Sequence, residues 1–148
     1  MKKTVAVLIS GSFVLTLALA TVGAQGTKSA NDGVYTAEQA KRGEVLYKEQ
    51  CAGCHGDNLE GSGPMPALAG ADFLAAWSTR TVGDLFEKTH TTMPATAPGS
   101  LTPEQAADIT AYMLAASKYP AGTTALETKI EALSQIKIDK PAQDKPAQ

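Results

Sequence analysis

The stretch Cys51-Ala52-Gly53-Cys54-His55 constrains this chain more than any other. Its two cysteines, the only two in the sequence, stand two residues apart and are followed at once by a histidine. That spacing is the pattern of covalent haem attachment. Two thiols add to the two vinyl groups on neighbouring edges of a haem, and one helical turn sets the side chains at a matching separation. The histidine after the second cysteine then lies under the iron, where a ring nitrogen can bind it. Other uses of such a pair are weaker. A zinc site needs four ligands, and only His90 remains among the histidines to help. A redox dithiol belongs beside a βαβ pattern, and strand signals are lacking here. A two-residue disulfide loop closes little chain and stabilises little.

The start of the chain bears on the same reading. Lys2 and Lys3 precede an apolar run from Val5 to Leu19, and Val22-Gly23-Ala24 offers small residues for cleavage before Gln25. Residues 1–24 therefore read as a secretory signal, and the expected location is the periplasm. The rival is a retained anchor, since the run to Val22 is nearly long enough to span a bilayer. Membrane contact is expected only in that case. Export also suits haem attachment to thiols, which belongs outside the cytoplasm.

Taking 24 residues from 148 leaves 124, enough for one domain. Removing Lys2 and Lys3 from 13 basic residues leaves 11 against 15 acidic, a formal charge of −4. Nothing resembles a basic nucleic-acid surface, so that partner class is excluded. Aromatic residues make up only 5% of the chain. So small a domain needs a large apolar object in its core, and a buried haem is that object.

After a polar lead over 25–35, Thr36-Ala37-Glu38-Gln39 reads as a capping box opening a helix to about Gln50. Gly43 and Tyr47 share a face of it, and a glycine inside a helix implies close approach of another element. Residues 56–70 are rich in Gly and Pro and read as loop. A short helix over Asp72–Trp77 and another from Thr81 follow, then a loop holding Pro94, Pro98 and Gly99. Thr102-Pro103-Glu104-Gln105 opens the clearest helix, whose stripe includes Ala106, Ile109, Tyr112 and Met113. No sustained period-2 alternation occurs, so the expected fold is all-α. The haem domain spans 36–120, a segment over 121–138 lies back on it, and 139–148, with its repeated Lys-Pro-Ala-Gln, reads as disordered.

The second iron ligand decides the chemistry. Candidates are Met65, Met93, Met113 and His90. Met113 is explained by core packing, and Met65 lies too near His55 in sequence to reach the opposite face easily. Met93 sits in a loop between helices, and Pro94 keeps it out of the α region. A soft thioether suits low-spin iron, and paired with histidine it raises the reduction potential. Met93 is the preferred ligand, with His90, Met65 or an open face as the alternatives.

From Thr36 to Pro120 the chain resembles class I c-type cytochromes. It is closest in pattern to small bacterial monohaem cytochromes that partner, or are fused to, quinoprotein alcohol dehydrogenases. The resemblance rests on Gly43-x-x-x-Tyr47, Cys51-Ala52-Gly53-Cys54-His55-Gly56, Pro66-Ala67-Leu68-Ala69-Gly70, Thr92-Met93-Pro94 and Ala111-Tyr112-Met113-Leu114, in that order. It implies three to five short helices wrapped around one haem c, held through Cys51 and Cys54. It further implies that the first and last helices cross at a glycine–aromatic contact. Pro66 would accept the Nδ1–H of His55 through its carbonyl, with Pro64 as a competitor. Leu68 would pack on the haem, and Trp77 and Arg80 would donate to its propionates. The function implied is non-enzymatic: one-electron transfer between a dehydrogenase or membrane complex and a terminal oxidase. The alternative is a haem enzyme or gas sensor with an open distal face, such as a weak peroxidase.

Overall fold

A computed structural model describes residues 27–142. The signal read over 1–24 and the end of the tail, 143–148, lie outside the described residues. The elements run β1 (Lys28–Ser29), a 3₁₀ turn (Ala30–Asp32), α1 (Ala37–Gln50), α2 (Ala52–His55), α3 (Gly70–Trp77), α4 (Val82–Thr92), α5 (Pro103–Ala116), α6 (Ile130–Leu133) and β2 (Ile136–Lys137). The fold is helical, as the sequence implies, with α2 and α6 each a single turn. Among the described residues, a two-residue parallel pairing of β1 with β2 departs from this, beside isolated bridges such as Thr36 with Gly122. It joins the two ends of the described chain and is too short to leave an alternating pattern in the sequence.

The frame is the crossing of α1 and α5. Gly43 makes it possible: a Cβ there would overlap the backbone carbonyl of Asp108 and press on Ile109 N at 3.0 Å. Tyr47 and Tyr112 pack beside it, ring centroids 5.4 Å apart and inclined by 51°. Arg42 closes the other side with a two-pronged bond to Asp108, Nε–Oδ2 2.8 Å and Nη2–Oδ1 2.9 Å. The glycine–aromatic contact implied by the resemblance is present.

Helix α3 starts at Gly70, two residues before the expected Asp72, while α1, α4 and α5 start at their capping threonines with a difference at α1. In α4 and α5 the caps Thr81 and Thr102 and the third residues Asp84 and Gln105 exchange bonds reciprocally. At α1, Thr36 accepts from Gln39 N at 3.1 Å, but the Gln39 side chain does not reach back. Its amide instead turns to the chain after α5, donating to Leu126 O at 3.1 Å and accepting from Leu126 N at 2.7 Å. Gln39 is 3% exposed, and burial beside an unpaired peptide outweighs a cap bond available to water. Gln39→Ala strands both Leu126 groups in the interior and is expected to lower stability by about 2 kcal/mol in urea unfolding.

The chain beyond α5 completes the core. Helix α5 ends at Ala116, four residues before Pro120, because Lys118 takes a left-handed conformation (φ 68°). Leu126, Leu133, Ile136 and Ile138 are then buried, so this segment does lie back on the domain. The tail differs from its expected disorder over its first four residues. Tyr119 Oη donates to Asp139 O, Asn31 Nδ2 to Lys140 O at 3.1 Å, and Ala142 N to Asn31 Oδ1 at 2.8 Å. Pro141 is fully buried. Composition marked this stretch as unable to form a core, but it needs only to fill a niche that others provide.

Candidate haem-binding site

Helix α1 delivers the cysteine motif. Cys51 N donates to Tyr47 O at 2.8 Å as the last bond of that helix, and Cys51 O accepts from both Cys54 N and His55 N at 3.0 Å. Cys51 therefore ends α1 and starts the single turn of α2, which holds the two sulfurs one turn apart. Neither cysteine is in a disulfide. Burial, then the neighbouring Cys54, pushes the Cys51 thiol up to about 11. Tyr47 Oη donates to Gly56 O at 2.6 Å, which ties the end of the turn back onto the helix crossing.

His55 is buried, and its Nδ1 lies 2.8 Å from Pro66 O. A carbonyl only accepts, so Nδ1 carries the proton and Nε2 is left with its lone pair. That tautomer is the one an iron ligand needs, and the bond to the carbonyl fixes the orientation of the ring. The loop from Gly56 is folded to present this carbonyl. Gly61 N donates to His55 O, and Leu68 N to Leu59 O, both at 2.8 Å. A turn with mutual bonds between Ser62 and Met65 lies between them. Pro66, not Pro64, faces the histidine.

Cys51, Cys54, His55, Pro66, Leu68, Trp77 and Met93 all line one cavity of about 590 Å³. Arg80 is not brought to it. Its guanidinium lies over the Trp77 ring, 5.2 Å from the centroid, while its backbone carbonyl accepts from Ile138 N at 3.0 Å. His90 is not in the wall either; it stacks on Phe86 at 5.6 Å, which ring packing at a helix end explains. Met93 caps the end of α4 in an extended conformation (φ −117°, ψ 151°), as Pro94 requires.

Several wall residues escaped the sequence reading. Ile109 and Met113, one turn apart on α5, and Leu85 and Thr89, one turn apart on α4, face the cavity. Their i, i+4 spacing was visible, but a helical stripe looks the same whether it meets another helix or a cofactor. Met65 also reaches the wall while 37% exposed.

The volume falls in the range of roughly 300–1,000 Å³ typical of cofactor sites. The wall is mainly apolar and includes two thiols, an imidazole and the thioethers of Met65, Met93 and Met113. These donors fit a haem, and this chemistry defines a c-type cytochrome. Residues 38–113 match the family model described as cytochrome c oxidase, cbb3-type, subunit III, and the chain belongs to that family. It is 42% identical over 67 residues to cytochrome c-551 of Bacillus subtilis (strain 168), a match covering 43% of this chain and 59% of that protein. The chain thus spans about three fifths of that relative's length. The fold is also similar to a chain in the crystal structure of the sulfane dehydrogenase SoxCD from Paracoccus pantotrophus. There the TM-score is 0.56 at 21% identity, covering 93% of this chain and 71% of that one. The cofactor is haem c, attached through Cys51 and Cys54 in the Cys-x-x-Cys-His motif with His55.

Covalency gives a direct expectation. Denatured protein keeps its haem through gel electrophoresis and weighs one haem more than its polypeptide. Cys51→Ala or Cys54→Ala leaves a single thioether at best and sharply lowers the yield of holoprotein. Haem released by acid-acetone from the unsubstituted protein would contradict the attachment.

Proposed function

We propose that this cytochrome is a periplasmic one-electron carrier whose iron is held between His55 and Met93. The observation that carries this reading is that both side chains line one apolar cavity, His55 fixed by Pro66 and Met93 on an extended segment free of helical constraint. Haem supplies a one-electron couple when bound. The chain's own residues set its working range. With haem bound, ligation by a thioether together with the imidazole would favour the reduced state, and Leu68, Leu85, Ile109 and Met113 would surround it with apolar side chains. Leu68 and Trp77 line the cavity, where Leu68 would pack on the haem and Trp77 would donate to a propionate, as the resemblance implies. Arg80 lies outside the cavity wall and packs its guanidinium over the Trp77 ring. Cys54 and the backbone of Gly53 are exposed, which supports entry and exit of electrons at the thioether edge.

Residues 1–24 would direct export. The partners proposed are redox proteins: a dehydrogenase, including one of quinoprotein type, on one side and a terminal oxidase on the other. The matched family is described as an oxidase subunit, and the structural neighbour is titled a dehydrogenase. Both descriptions agree with service in a redox chain.

A carrier and an enzyme with an open distal face differ in one measurement. The oxidised holoprotein is expected to show the weak red-edge band of a sulfur–iron bond. The reduced form is expected not to bind carbon monoxide. Rapid carbon monoxide binding together with peroxide turnover would replace the carrier reading with the enzymatic one.

A further inference from the structure

Helix α4, which ends at Met93, is buried on two faces. Leu85 and Thr89 line the haem cavity from one of them. Val82, Gly83 and Phe86 do not line that wall, yet they are buried as well. The chain beyond α5 lies against this second face, since α6 and β2 both pack on α4. The approach is closest at Gly83. A Cβ there would stand 2.5 Å from Ser134 Oγ, 2.8 Å from Ser134 N and 3.0 Å from Ser134 Cα. At the start of the helix, Ile138 N donates to Arg80 O at 3.0 Å, and Thr81 forms an isolated antiparallel bridge with Lys137.

This outer segment is pinned in turn to parts of the chain other than α4. Gln39 holds Leu126 by two bonds, and Lys28 N donates to Gln135 O at 2.9 Å beside the pairing of β1 with β2. Tyr119 holds Asp139, and Asn31 holds both Lys140 and Ala142. Lys28, Asn31, Tyr119 and all of the segment lie outside residues 38–113, the stretch that matches the family model. The support behind α4 is therefore built mostly from residues beyond the matched region.

Helix α4 can carry a displacement from that contact to its far end. From Gly83 to Met93 runs roughly 15 Å of helix. Thr89, Thr91 and Thr92 each donate a hydroxyl to the carbonyl one turn earlier, to Leu85 at 2.9 Å, Glu87 at 2.7 Å and Lys88 at 2.8 Å. The turns leading to Met93 thus hold a second set of bonds beside the helical ones. A helix tied in this way shifts as a unit.

We infer that the C-terminal segment is a positioning brace for the second iron ligand. Gly83 and Ser134 set how deeply α4 seats, and α4 sets the place of Met93. The inference rests on Met93 being that ligand. Gly83→Ala is the direct test, because the added methyl cannot share space with Ser134 and must drive α4 and the segment apart. Oxidised Gly83→Ala holoprotein is expected to lose most of its red-edge band while keeping its helical circular dichroism. Its reduced form is expected to bind carbon monoxide at least about tenfold faster than the unsubstituted protein, the factor that one overpacked contact gives. Asn31→Ala loosens the far end of the brace without adding an atom, and is expected to act in the same direction by about threefold. It decides the matter if Gly83→Ala yields no holoprotein. Thr102→Ala is the control for stability alone. It removes a cap bond made within α5, so it lowers the unfolding midpoint and leaves band and binding rate unchanged. An unchanged rate in Asn31→Ala and in any Gly83→Ala holoprotein obtained, or equal acceleration in Thr102→Ala, overturns the brace alone. A band that survives Met93→Ala overturns the choice of ligand, and the brace with it.

Discussion

Gly43→Ala is expected to destabilise the domain by about 3 kcal/mol or more, a fall of roughly 10 °C in thermal midpoint. The added methyl meets the Asp108 carbonyl and Ile109 N, both backbone, so no rotamer change relieves it. The helices must separate, which loosens the Tyr47–Tyr112 contact and the Arg42–Asp108 pair together. Gly53→Ala is the matched control. A Cβ at Gly53 meets nothing within 4 Å, and alanine is the better helix former, so stability is expected to hold or rise slightly. Thermal melts of the two holoproteins decide the point. Equal melting temperatures would mean that the helix crossing does not depend on this contact.

Met93→Ala is expected to have the largest effect on the iron. The potential should fall by on the order of 0.1–0.2 V, within the span of about 0.8 V that axial ligands control. The reduced protein should then bind carbon monoxide, and the red-edge band should vanish. Met113→Leu keeps the volume of a side chain that is 2% exposed, and is expected to cost less than about 1.5 kcal/mol and to leave the band in place. Met65→Ala should change neither band nor potential. Met65 and Met113 also line the cavity, so the three variants together identify the ligand. Loss of the band in either of the other two would reassign it.

Much of the site was readable because it is local. Cys51, Cys54 and His55 lie within one turn, and their chemistry follows from spacing alone. The caps at Thr81 and Thr102 are equally local: each hydroxyl meets a backbone group three residues on. Gln39 shows where that logic stops. Its residue type and position suit a capping box, but a buried peptide at Leu126, distant in sequence, took the side chain. Arg80 shows the same limit from the other direction. Its charge suited a propionate, yet the ring of Trp77 holds it outside the cavity wall.

The sequence by itself determined the cofactor, the helical class and the order of the helices, since each depends on residues within a few positions of one another. Tertiary structure decided the rest. It chose Pro66 over Pro64 as the partner of His55, because the folded loop brings only that carbonyl within 2.8 Å. It turned Ile109 and Met113 from an ordinary apolar stripe into the cavity wall. It also drew Asp139–Ala142 out of expected disorder, because Asn31 and Tyr119 offered bonds that no local pattern encodes. A side chain's type limits what it can bond, but distant backbone decides which of those bonds is within reach.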